Sequence, residues 1–532
     1  MGRSITTVTP EFVKTLPTSP PIHFQKFDRY FESISKDGKL YQSEYQLDAA
    51  GKEVFRDTRE IQWIIGTNVN GLGGLTTHDG YLFQSPLSYY PRTGQWNLSP
   101  GYQFSDIGFN RLIAPGCIFC HSGRPQPIPG ALGKYENPPF AQTAIGCENC
   151  HGPGEAHVEE MGDGQSYDKG KDPTIVNPAN LAPALADDIC MSCHQTGDAR
   201  VFQPGKSYQD FRPGTPLNRV LAILMIPPTR QNPPEPDHAQ HYYSMIMNKC
   251  YQASANRPDG KQMRCISCHD PHVEPTADEA PAFFNGKCMS CHTAASCKAP
   301  QQARSQTQPA DNCIGCHMPK HENLTLAHSS ITNHRIVTAP DEPYPDAVFQ
   351  QTTAQLPDVI YLNGRLDQSL NHIANYAPQL SGVALLEAYN QLRDRWPEYN
   401  SAWLRTLNTL EKSDPNQSLV QASLGHRDLE AGNLDQAAAH LRRALELDPA
   451  QPRVCMDLSE VADRKAQHSE ALAYARKAVS LDPFNPDPRR MLVERLISAE
   501  QYEEALPAME KYIEDFPEDD LMRKMLAIAK SN

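Results

Sequence analysis

Between Cys117 and Cys316 the pattern Cys-x-x-Cys-His occurs six times, at Cys117–His121, Cys147–His151, Cys190–His194, Cys265–His269, Cys288–His292 and Cys313–His317. Composition alone predicts about 0.015 copies in a chain of 532 residues with 15 cysteines and 19 histidines. Twelve of the fifteen thiols are used in this way, which excludes an ordinary reduced globular enzyme. The length likewise excludes a small disulfide scaffold.

Two thiols three positions apart can each form a thioether to one vinyl group of a porphyrin, and the next residue then points an imidazole at the iron. The pentapeptide is the attachment signature of c-type haem. It predicts six covalently bound haem c groups, on Cys117 and Cys120, Cys147 and Cys150, Cys190 and Cys193, Cys265 and Cys268, Cys288 and Cys291, and Cys313 and Cys316. His121, His151, His194, His269, His292 and His317 are the proximal ligands in this reading. Structural zinc also uses Cys-x-x-Cys pairs, but zinc does not require a histidine directly after the second cysteine six times over. A thioredoxin-like dithiol needs one copy between a strand and a helix.

From Asp106 to Pro340 there are 235 residues, about 39 per haem, too few to wrap each porphyrin separately, so the haems must touch. Of the 46 prolines, 33 precede Asp341, which predicts loops and short helices around porphyrins that supply much of the apolar core. The sixth coordination position then separates a wire from a catalyst. His157 and His272 follow their motifs by six and three residues. Such a segment spans at most roughly 10–20 Å, so each histidine reaches a neighbouring iron rather than its own. His328, His334, His241 (preferred over His238) and His78 are the other distal candidates, with His321 and His23 in reserve. His372, His426, His440 and His468 read as ordinary helix-surface residues.

The flanks carry different periods. Turn signals at Asp37-Gly38 and Ala50-Gly51 separate Tyr30–Ser35, Leu40–Leu47 and Val54–Ile65, with Tyr81–Tyr90 beyond, predicting a small antiparallel sheet packed on the haem array. Tyr89, Tyr90, Trp96 and Tyr102 read either as core and lid packing or as cover for a haem edge. Toward the C-terminus Pro415, Pro449, Pro483 and Pro517 stand 34 residues apart, the tetratricopeptide period, and Ala437, Ala471 and Ala505 fall where paired helices cross closely. Three repeats and a degenerate earlier one around Trp396–Pro415 predict a right-handed solenoid with a concave surface for a partner. The fold class expected is mostly α with much irregular structure. The segments read as 1–105 (N-terminal β region), 106–340 (six-haem domain), 341–380 (linker) and 381–532 (α-solenoid).

The stretch Gly146-Cys147-Glu148-Asn149-Cys150-His151-Gly152-Pro153-Gly154 with His157 resembles a known family. So do Cys265-Ile266-Ser267-Cys268-His269-Asp270-Pro271-His272 and Cys313-Ile314-Gly315-Cys316-His317-Met318-Pro319-Lys320 with Thr332-Asn333-His334-Arg335. They are similar to the multihaem c-type cytochromes carrying tetratricopeptide repeats, whose haem part is related to the tetrahaem cytochrome that takes electrons from hydroxylamine oxidoreductase. The resemblance covers about residues 60–530. It implies bis-histidine haems in close-packed stacked and perpendicular pairs, with His157, His272 and His334 as distal ligands. It names no reaction. Relatives commonly begin with a further Cys-x-x-Cys-His, whereas residues 1–105 contain no cysteine.

Two function classes follow. An electron carrier conducts along touching haems while the repeats dock a redox partner or other copies of the chain; a filament of stacked subunits is its variant, with His23 near one terminus placed to ligate the next subunit. The alternative is an oxidoreductase acting on a small nitrogen or sulfur species at one five-coordinate haem, the first motif if His78 is not its ligand. No lysine-ligated motif of the nitrite-reductase type is present, so the carrier reading is the stronger. The formal charge is −14, of which −11 lies in residues 341–532, a poor surface for nucleic acid. No apolar run exceeds the seven residues Val220 to Ile226, too short to span a bilayer. Haem attachment outside the cytoplasmic membrane predicts a periplasmic or extracellular protein. Met1 to Pro21 is polar rather than a signal peptide, so the numbering reads as a mature, trimmed or engineered start. Of the remaining thiols, Cys250 and Cys297 are expected to form a disulfide, and Cys455, on a repeat helix, to be buried and free.

Overall fold

The computed structural model describes the chain except residues 1, 3, 67–69, 169, 235–240, 256, 258–261, 323–329, 340, 365–379 and 532. The chain divides into two compact bodies, one built from Met1–Ile145 with Trp403–Asn532, the other from Gly146–Thr325 with Ser329–Ala402.

The first body joins both ends of the chain. A four-stranded antiparallel meander runs Ile22–Phe24, Arg29–Lys36, Lys39–Leu47, Glu53–Ile61. Asp37 and Gly38 both hold positive φ (52° and 74°), the two-residue turn whose twist matches the flanking strands. The run expected over Val54–Ile65 is two strands, because the chain crosses at Gln62 into a second sheet. There Trp63–Ile65 pairs with Leu72–His78, and Leu72–His78 with Tyr81–Tyr90. Ile5–Thr7, Arg111–Leu112 and Gln95–Leu98 complete that six-stranded sheet. Leu72–His78 escapes the sequence pattern because glycines weaken its strand signal. A Cβ on Gly74 would stand 2.3 Å from Ser85 Oγ, so the close approach requires glycine there.

Phe31, Leu40, Ile61, Ile64, Leu87, Trp96 and Tyr102 form the core of this β region. Trp96, Tyr90 and Tyr102 are packing residues: their polar tips donate to Pro17 O, Leu98 O and Gln84 O at 2.7–2.8 Å. The helix pairs Ser418–Glu430/Leu434–Leu447, Pro452–Arg464/His468–Leu481 and Pro486–Ser498/Tyr502–Asp515 follow, closed by Asp520–Ser531. Ala437, Ala444, Ala471 and Ala478 are fully buried where the helices cross, and Cys455 is a buried free thiol. Phe484, between the second and third pairs, inserts among His78, Tyr81 and Phe83 with ring centroids 5.0–5.3 Å apart. The repeats and the second sheet therefore share one apolar contact.

The second body is built around the apolar strand Leu221–Met225, central in a three-stranded sheet between Ala199–Phe202 and Ile360–Tyr361. Tyr243, Ile246, Tyr251, Val348 and Ile360 pack around it, and the core extends to Ile189 and Met191, on either side of Cys190. Cys150 and Cys265 pack against the same cluster. Beyond it the architecture changes: among the described residues from Arg264 to His321 none is buried.

Candidate functional site

Each motif after the first lies in the second body, on a short helical piece: Glu148–His151, Pro183–His194, Cys265–Cys268, Ala280–Met289 running into Cys291-His292, and Cys313–His317. The first motif, on Pro115–Phe119, lies in the other body. A helical turn puts residues three apart on one face, so both thiols of a motif point the same way and the following histidine projects beside them.

The motifs of the second body neighbour one another in chain order. The Cys265 thiol is pushed well up by its hydrogen bond to Cys190 and by burial. Burial raises Cys150 to about 11, with Cys190 and Cys193 beside it. Burial likewise raises Cys268, near Cys250 and Cys291, and lifts Cys288 to about 11, with the thiols of Cys313, Cys268 and Cys250 around it. Among the described residues no three of His, Cys, Asp or Glu converge into a metal cage.

The imidazoles are ordered by backbone carbonyls. His151 Nδ1 donates to Val176 O at 2.7 Å, His317 Nδ1 to Val337 O at 2.7 Å and His334 Nδ1 to Thr332 O at 2.9 Å. A carbonyl only accepts, so Nδ1 carries the proton and Nε2 keeps its lone pair, the tautomer an axial ligand needs. His157 Nδ1 meets Asp172 Oδ2 at 2.6 Å to the same effect. No side-chain signal marks Val176, Val337 or Thr332 in the sequence, because the acceptor is backbone.

Three motif histidines face an imidazole from outside the motifs. His151 and His272 are nearly parallel (20°) with centroids 5.9 Å apart; His194 and His241 stand 5.6 Å apart, and His269 and His334 6.1 Å. Two imidazoles bound by nitrogen at about 2 Å on opposite sides of one metal ion have centroids roughly 6 Å apart, so these spacings suit ligation. His272 thus stands beside His151, 121 residues back, rather than beside His269. His241 and His334 also touch (4.6 Å), making a file His194, His241, His334, His269. Burial lowers all four, His241 to about 3 and His334 to about 4, with the neighbouring imidazoles adding to the effect for His194, His241 and His334. They are therefore neutral, with lone pairs available, at physiological pH.

The other candidates are placed differently. His78 packs edge-on against Phe484 and lies 3.7 Å from Asp79, and His23 pairs with Asp28 and stacks on Tyr30. His321 sits in a hairpin opposite Ile331, its Nε2 buried without a partner. His328, His238 and His372 lie outside the described residues. His426, His440 and His468 sit on or beside repeat helices next to Asp457, Asp428 and Asp463. The expected Cys250–Cys297 disulfide is not formed: both thiols are free. Cys250 packs near Cys268 and Cys291, and Cys297 lies by Cys313 and Arg304, so the two face different motifs.

Along the repeats an open groove of about 260 Å³ is lined by His426, Glu430, Arg453, Met456, Asp457 and Arg464. Tetratricopeptide repeat models match residues 423–486 and 464–529. The C-terminal helices are tetratricopeptide repeats. They are similar to MamA (19% identity over 26% of this chain and 81% of that one, TM-score 0.24). They are also similar to YrrB, described as a TPR protein with an unusual peptide-binding site (22% identity over 23% of this chain and 63% of that one, TM-score 0.22). The chain is distantly similar to the multiheme cytochrome MtrA of Shewanella baltica (strain OS185), 24% identical over 196 residues, 36% of this chain. The match spans 56% of that relative's length. Among the described residues no helix is long and apolar enough to cross a membrane.

Proposed function

We propose that this protein is a multihaem c-type cytochrome that carries electrons along haem groups held by its six Cys-x-x-Cys-His motifs. Its repeats dock a redox partner or a second copy of the chain. The observation that carries the reading is the facing of His151, His194 and His269 by His272, His241 and His334 at 5.6–6.1 Å. The segment Arg264–His321 supports it: beyond the core that Cys265 packs against, the motifs at Cys288 and Cys313 lie where no described residue is buried, and the apolar surface of a large ligand suits such a segment. The distant similarity to a multiheme cytochrome points the same way.

Haem c, when bound, supplies reversible one-electron chemistry at its iron. The chain's residues do the rest. The twelve motif cysteines anchor, and Val176, Val337 and Thr332 hold His151, His317 and His334 with Nε2 free. Partial burial of His241 and His334 lowers both and keeps these two rings neutral. His272, His241 and His334 would serve, with His151, His194 and His269, to hold haem iron. His78 is the candidate for His121, and His157 and His328 are the further distal candidates for the motifs of His292 and His317. On this reading, haem attachment outside the cytoplasmic membrane implies a periplasmic or extracellular location.

The test is a pyridine haemochrome assay with a ferric spectrum. Six haem equivalents and a low-spin spectrum are expected; a colourless protein overturns the reading. A high-spin component that shifts with nitrite, hydroxylamine or cyanide moves the assignment to a catalyst with one five-coordinate haem.

A further inference from the structure

Two of the motifs are copies of one longer unit. Ala182-Pro183-Ala184-Leu185-Ala186-Asp187-Asp188-Ile189-Cys190-Met191-Ser192-Cys193-His194 aligns without a gap to Ala280-Pro281-Ala282-Phe283-Phe284-Asn285-Gly286-Lys287-Cys288-Met289-Ser290-Cys291-His292. Both begin with Ala-Pro-Ala, share Met-Ser between the cysteines, and place a short side-chain oxygen, Asp187 or Asn285, three residues before the first cysteine. Both fold alike: proline opens a helix, Pro183–His194 or Ala280–Met289, that runs into the motif.

The motif that follows each copy is also repeated. Cys265-Ile266-Ser267-Cys268-His269-Asp270-Pro271 matches Cys313-Ile314-Gly315-Cys316-His317-Met318-Pro319, and both form a single helical turn. The contact between long helix and short turn is the same in the two cases. Asp187 Oδ1 accepts the backbone N–H of Cys265 at 3.1 Å, and Asn285 Oδ1 accepts that of Cys313 at 3.0 Å. The first thiols are neighbours as well: Cys190 is hydrogen-bonded to Cys265, and Cys288 lies within electrostatic reach of Cys313. The linkers differ greatly in length, 75 residues from Cys190 to Cys265 against 25 from Cys288 to Cys313, yet the docking is conserved.

We infer that residues 182–271 and 280–319 are two copies of a two-motif module, in which Asp187 and Asn285 are equivalent positioning residues fixing the following attachment turn against the preceding helix. An N-terminal amide of a helical turn has no partner within the turn, so an oxygen supplied from the neighbouring helix both satisfies it and sets the separation of the two motifs. Asp187 is 1% exposed, so its loss would leave the Cys265 amide without its acceptor inside the protein. Asn285 adds a second tie, donating from Nδ2 to Asp311 O at 2.8 Å. Directly after the first copy stands His272, where the second is followed by Lys320, so a histidine at that position exists in one case only.

The inference rests on the haem reading, and its test separates the two. Asp187→Ala, Asp187→Asn, Asn285→Ala and Asn285→Asp are made in the full-length haem-loaded protein, and haem content and the ferric electron paramagnetic resonance spectrum are recorded. Each alanine variant should alter the spin–spin interaction of one pair of haems, a different pair for 187 and 285, while the variants that keep the accepting oxygen restore the native line shape. Native spectra in both alanine variants, or Asp187→Asn matching Asp187→Ala, overturn the module with the haem reading intact. Wild-type protein without haem overturns the haem reading itself. If Asp187→Ala yields no folded protein, the partly exposed Asn285 pair decides.

Discussion

The substitution Glu518→Gln tests how the first body holds charge away from water. Glu518, Glu44 and Asp106 surround the Arg29 guanidinium, which donates to the Glu518 backbone oxygen at 2.8 Å and to Asp520 at 3.0 Å. Its Nε lies 3.4 Å from Asp106 and 3.8 Å from Glu44. With Asp520 and Asp519 also near, the carboxylates outnumber the two cations, Arg29 and Arg523. Burial, then the charges of Asp106, Asp57 and Asp519, push Glu518 up to about 8; burial raises Glu44 well above its usual range and raises Asp106 as well. Arg523 and Asp520 complete the charged surroundings.

In the unfolded chain this carboxyl titrates near 4.5, so the native state binds its proton more tightly. The stabilisation is therefore complete below the unfolded value and is lost as pH rises toward 8. At about 1.4 kcal/mol per pKa unit, the gap corresponds to about 5 kcal/mol. The substituted amide keeps the shape of the carboxyl and cannot ionise. Urea unfolding followed by far-UV circular dichroism should give equal stabilities at about pH 4, and at about pH 8.5 a variant more stable by up to about 5 kcal/mol. Parallel pH profiles for the two proteins would refute the assignment of Glu518 as a buried, proton-binding carboxyl.

Three further outcomes are expected. His334→Ala should add a high-spin ferric component from one iron, and His241→Met should raise one reduction potential, because methionine ligation favours the reduced state; spectroelectrochemistry of the intact protein reads both. Phe484→Ala removes the ring held by His78, Tyr81 and Phe83 and should cost about 3–5 kcal/mol in the same urea assay, with haem content unchanged. Alkylation without reductant should label Cys250, Cys297 and Cys455 in denaturant, and Cys250 and Cys297 alone under native conditions; a mass showing Cys455 as the sole labelled thiol in denaturant would restore the disulfide.

Local chemistry was legible in the chain. The Cys-x-x-Cys-His spacing is a covalent requirement read within five residues, and the 34-residue period needs only the sequence of each helix pair. Ala437 and Ala471 announce close helix crossings because a larger side chain could not fit there. The hairpin at Asp79-Gly80 carried a turn signal of the same kind as Asp37-Gly38, but the glycines of Leu72–His78 hid the strand before it. The duplicated Ala-Pro-Ala helices were also present in the sequence, though the matching role of Asp187 and Asn285 shows only once the cysteine amides are placed.

By itself, the sequence determined which thiols and imidazoles are equipped for haem and where the repeats begin to beat, since both depend on neighbours along the chain. The tertiary structure alone decided that His272 meets His151, that Cys250 and Cys297 face different motifs, and that Phe484 of the repeats enters the β region at Tyr81 and Phe83. Those contacts join residues distant in sequence, and what selects them is the burial of apolar surface and the satisfaction of backbone groups summed over a whole body. No local pattern encodes that sum.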